Sequence, residues 1–203
     1  MPQYSSKELY MMNGGNTLYI YKDGFGDMYH ATAAEEASWS QEVIANALIR
    51  IDKETNPTNL KFAINDLIFH GYSDVDQLLL DKVQNTSPAR TIVFATLLWT
   101  MKGYEKSFGI IYQLFLNHRK ECLNDVFIAL TDFKNNIAAR NFLLECLKGD
   151  DQQLKAKAHT TLTMWAYTGM PELRAGGFLD ALKSDNEVSF KSAIQQLRQF
   201  FFL

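Results

Sequence analysis

Apolar pairs at i, i+4 recur along this chain at intervals of 31 to 35 residues, and that recurrence constrains the fold more than any other feature. The first set is Ala63/Leu67, Phe94/Leu98, Val126/Leu130, Ala158/Leu162 and Ala193/Leu197, with steps of 31, 32, 32 and 35. A second set, Leu79/Val83, Ile110/Leu114, Phe142/Cys146 and Phe178/Leu182, trails the first by 16, 16, 16 and 20 residues. The i, i+4 spacing is that of a helix face. Two helical faces per interval of about 32 residues are expected of helical hairpins stacked in register, an architecture whose exterior is a presented surface. No catalytic motif accompanies the repeat.

Breaks in the pattern divide the chain further. They fall at Asn56-Pro57, Gly71-Tyr72, Ser87-Pro88, Gly103-Tyr104, Lys134-Asn135-Asn136, Gly149-Asp150-Asp151, Gly169-Met170-Pro171 and Ser184-Asp185-Asn186. Short connections of this kind favour antiparallel neighbours. Residues 1–37 read differently from residues 38–203. Thr17-Leu-Tyr-Ile-Tyr alternates, Asp23-Gly24 offers a turn signal, and Asp27-Met-Tyr-His follows. This pattern predicts a β-hairpin capping one end of the helical array.

Two junctions carry a resemblance. Leu147-Lys-Gly-Asp150 is followed by Ala158 and Leu162, and Leu182-Lys-Ser-Asp185 by Ala193 and Leu197. An acidic turn, Ala eight residues on and Leu four later resembles the inter-repeat junction of HEAT repeats. Asp at a helix start caps free N–H groups, and Ala lets neighbouring hairpins approach closely. The resemblance implies an all-α, right-handed α-solenoid of about four to five hairpins over residues 38–203, with the hairpin cap in residues 1–37. The repeats are shorter than the family's usual length. The family's Arg after the turn has a counterpart only at Arg90, with Asn59, Cys122, Leu154 and Ser189 elsewhere. Gly103-Tyr-Glu-Lys-Ser-Phe108 is similar to part of a tetratricopeptide repeat, although that family's Trp-Leu-Gly-Tyr signature is missing.

The resemblance also implies that second helices of the hairpins line a concave face. Candidate binding residues on it are Gln77, Asp81, Lys82, Phe108, Tyr112, Gln113, Arg140, Glu145 and Asp180. Mixed charge with Tyr and Phe suits another protein or a peptide better than a phosphate backbone. The formal charge of -3 and a pI near 5.8 lack the basic bias of a dedicated nucleic-acid binder. The four histidines, His30, His70, His118 and His159, have no ligand partner at metal-site spacing, and no phosphate loop, nucleophile elbow or dinucleotide fingerprint occurs. No catalytic residue, metal or cofactor is therefore expected. Cys122 and Cys146 read as reduced thiols, no run of residues is long and apolar enough for a membrane span, and a cytoplasmic protein is expected. The function expected is that of a non-enzymatic scaffold, adaptor or immunity-type protein. The alternative that the resemblance allows is a DNA glycosylase acting on alkylated bases, which would need a basic concave groove lined with Trp and an Asp. The groove candidates here are neither basic nor Trp-rich, and Trp39, Trp99 and Trp165 read as core filling or inter-repeat packing.

Overall fold

The computed structural model describes residues 4–175, 177–184 and 186–202. Every regular element among them is helical. The order is α1 (Ser6–Met12), α2 (Thr17–Lys22), α3 (Ala33–Lys53), α4 (Pro57–Phe69), α5 (Val75–Gln84), α6 (Pro88–Lys102), α7 (Ser107–Asn117) and α8 (Arg119–Ala129). It continues with α9 (Ile137–Lys148), α10 (Gln152–Thr168), α11 (Glu172–Ala175), α12 (Phe178–Ala181) and α13 (Glu187–Phe202). Short 3-10 turns occupy Gly26–Met28 and Leu130–Asp132. The chain forms two compact units, residues 1–78 and 79–203, divided within α5.

The β-hairpin expected near the amino terminus is corrected: its first arm is helix α2. Asn16 caps that helix, accepting from the Leu18 N–H at 3.2 Å. Asp23-Gly24, read as a hairpin turn, instead ends the helix. Gly24 sits at φ +83°, the Phe25 N–H donates to the Ile20 carbonyl at 3.0 Å, and the Gly24 N–H donates to Tyr21 at 3.2 Å. That pair of bonds is a Schellman cap, which uses the same left-handed glycine as a tight hairpin turn. Alternation in Leu18-Tyr-Ile-Tyr does not divide two faces of a strand. Only Ile20 is buried, packed with Leu9, Tyr10, Tyr29 and Val43.

In residues 1–78, α3 and α4 form an antiparallel pair joined by three residues, with Thr32 and Asn56 as their side-chain caps. α4 turns Leu60, Ala63, Ile64 and Leu67 inward at helical spacing, and α3 turns Val43, Ala47 and Ile51. His70 ties the amino-terminal turn to this pair. One ring nitrogen meets Ser40 Oγ at 2.7 Å, and the other meets the Gly14 carbonyl at 2.8 Å.

In residues 79–203 the helices α6, α7 and α8 pack mutually, α8 packs on α10, α7 on α9, and α9 on α10. Polar ties cross between them at 32 to 35 residues. Arg119 pairs with Asp151, Thr161 Oγ1 meets the Phe127 carbonyl, and Lys134 Nζ donates to the Thr168 carbonyl. The connector between α8 and α9 gathers most of them. Trp99 donates its indole N–H to the Asp132 carbonyl and Trp165 donates to the Leu130 carbonyl, each at 2.9 Å. Asn136, itself buried, closes the connector by capping the Ala139 N–H at 3.0 Å. The last helix departs from the register of the others. α13 lies against α9 and α12, and its Phe201 ring meets Trp165 of α10.

The connector gives a direct test of what holds residues 79–203 together. Trp165 is fully buried, so Trp165→Phe removes buried volume and one of the two donors to the Leu130 carbonyl, which keeps the Phe133 N–H at 3.0 Å. A loss of about 2–3 kcal/mol is expected from the cavity and the lost hydrogen bond together. Urea denaturation should report it as a lower midpoint with an unchanged slope.

Candidate protein-binding groove

The surface between α7 and α9 is an open apolar groove of about 370 Å³, lined by Phe108, Gly109, Tyr112, Ala138, Asn141, Phe142 and Glu145. The groove exists because both helices carry a small residue, Gly109 on α7 and Ala138 on α9, while aromatic rings fill the space below. Phe142 is the centre of that floor. Its ring lies 5.2 to 5.9 Å from those of Phe108, Tyr112, Phe115 and Phe127, mostly tilted or edge-on. Phe108 rests in turn on Phe133 of the connector, and Phe133 stacks on Trp99 at 5.4 Å and 12°.

The solvent-facing side of α7 is chemically unusual. None of its eleven residues is Asp, Glu, Lys or Arg, yet Gly109, Tyr112, Gln113, Leu116 and Asn117 are exposed. Leu116 exposes 54% of its surface and Tyr112 37%. A surface helix ordinarily turns charged residues outward, and a helix apolar on most sides is one that is covered. Neighbouring α8 follows the ordinary rule, with Arg119, Lys120, Glu121 and Asp125 all exposed. Isolated exposed apolar residues elsewhere, such as Ile128, need no explanation.

Three of the residues expected on a binding face, Phe108, Tyr112 and Glu145, come together in this groove, and Gln113 stands exposed beside it on α7. Glu145 also pairs with Lys148 one turn along, at 2.8 Å. Gln77 and Lys82 lie on α5, and Asp180 lies exposed on α12. Asp81 likewise belongs to α5. Arg140 has a different task. Its guanidinium donates to the Lys134 carbonyl at 2.6 Å and to the Phe201 carbonyl at 2.9 Å, and it lies over the Phe201 ring. Burial lowers its affinity for the proton, and the two carbonyls take up the charge-assisted bonds. Arg140 thus fastens the end of α13 to α9. Gly109, Ala138 and Asn141 were not singled out by residue type. The signal for Gly109 was the charge-free run Ser107–Asn117 that contains it; Ala138 and Asn141, on α9, had none.

The indoles of Trp99 and Trp165 are engaged in packing and in bonds to carbonyls. Cys122 and Cys146 are free thiols buried in the core, and burial pushes the Cys146 thiol up to about 12, where it stays protonated at neutral pH. Among the described residues no group of three or more His, Cys, Asp or Glu is placed to hold a metal ion, and no helix is long and apolar enough to cross a membrane. No protein-family model, no curated protein and no solved structure matches this chain.

Gly109 provides a stability test of the groove. A Cβ built there meets no atom within 4 Å, so packing does not demand glycine. Gly109→Ala should stabilise the chain by about 0.5–1 kcal/mol, the difference in helix propensity, seen as a higher urea midpoint. A destabilised variant would mean that the glycine serves the fold and not the groove.

Proposed function

We propose that this chain is a non-enzymatic protein-interaction module that binds through the α7–α9 face. The observation that carries this reading is the exposed, charge-free surface of α7 beside an aromatic-floored groove. Buried, uncharged and aromatic centres with a polar rim are the usual make-up of recognition surfaces. The groove supplies Phe108, Phe142 and Tyr112 as its apolar centre, with Asn141 and Glu145 at its edge. Its floor is held by rings packed in the core, so the surface is formed before a partner arrives, and binding does not require ordering it. The HEAT-like reading of the sequence suits this role, since the polar ties between α6 and α10 recur at the sequence period. Two buried, unpaired thiols suit a reducing compartment, and we place the protein in the cytoplasm.

The test compares the wild type with Tyr112→Ala and Gly109→Leu, the first removing a groove wall and the second filling the floor. Proteins recovered on the immobilised wild-type chain are identified by mass spectrometry, and the affinity of each is then measured by calorimetry. Both variants should weaken a true partner at least tenfold while keeping the wild-type circular-dichroism spectrum, with Tyr112→Ala at a lower thermal midpoint because the Tyr112 ring packs on Phe108, Phe115 and Phe142. Ile128→Ala on α8 should leave affinity unchanged. Partners whose affinity both groove variants leave intact would refute the reading.

A further inference from the structure

We draw no further inference here: the strongest candidate, the exposed patch of Leu18, Tyr19 and Tyr21 on α2, carries nothing, because Lys22 stands exposed among these side chains with Asp23 and Asp27 just beyond, so charge selects no partner and nothing in the structure shows what covers the patch.

Discussion

The hydrogen bonds from two indoles to one short connector are the constraint on which residues 79–203 depend. Leu130–Asp132 is a 3-10 turn with carbonyls that a regular helix would have bonded internally. Trp99 donates to the Asp132 carbonyl from α6, and Trp165 adds from α10 a second donor to the Leu130 carbonyl, which also takes the Phe133 N–H, so the turn is fixed between the two helices. Because the connector is fixed, Phe133 is fixed, fully buried and stacked on Trp99. Phe133 then supports Phe108, and Phe108 forms the floor of the groove together with Phe142. The candidate site is therefore the outer surface of a chain of ring contacts that begins in the core. Close packing makes such a chain stiff, so small changes at the connector are expected to reach the groove.

Burial in these helices was readable from spacing. Ala63, Phe94, Val126, Ala158 and Ala193 are all buried, and so are the leucines four residues after each. Spacing could not report what lies between the helices. The junction at residues 182–197 matched that at 147–162 closely, yet α13 packs on α9 and is held there by Arg140, through a contact spanning 61 residues. A local motif encodes how a helix begins, and it leaves open which earlier helix it meets. The amino-terminal helix was misread for a related reason. Asp-Gly serves both a hairpin turn and a helix terminus, and the deciding facts, burial of Ile20 alone and the bond from Phe25 to Ile20, are tertiary or cross-turn.

The groove was half readable. Phe108, Tyr112 and Glu145 were expected on a binding face because they occupy second helices. Arg140 was expected there too, since a long cation on a helix looks solvent-facing until its partners are known. Gly109 and Ala138 were invisible to a search for chemically active side chains, because their contribution is the absence of bulk. The charge-free run Ser107–Asn117 was the available signal. Its meaning comes from exposure, since the same run in a buried helix would be ordinary core.

The central claim, that the α7–α9 face is the surface at which this chain meets protein, is tested most directly by placing a photo-crosslinking amino acid, benzoylphenylalanine, at Asn141. Asn141 is exposed on the groove edge, and Ile128 on α8 provides the matched exposed position outside it. Irradiation of the full chain in its native cell extract should yield a defined protein adduct from position 141 that excess unlabelled wild-type chain suppresses, and none from position 128. Adducts from position 128 with none from position 141 would contradict the account.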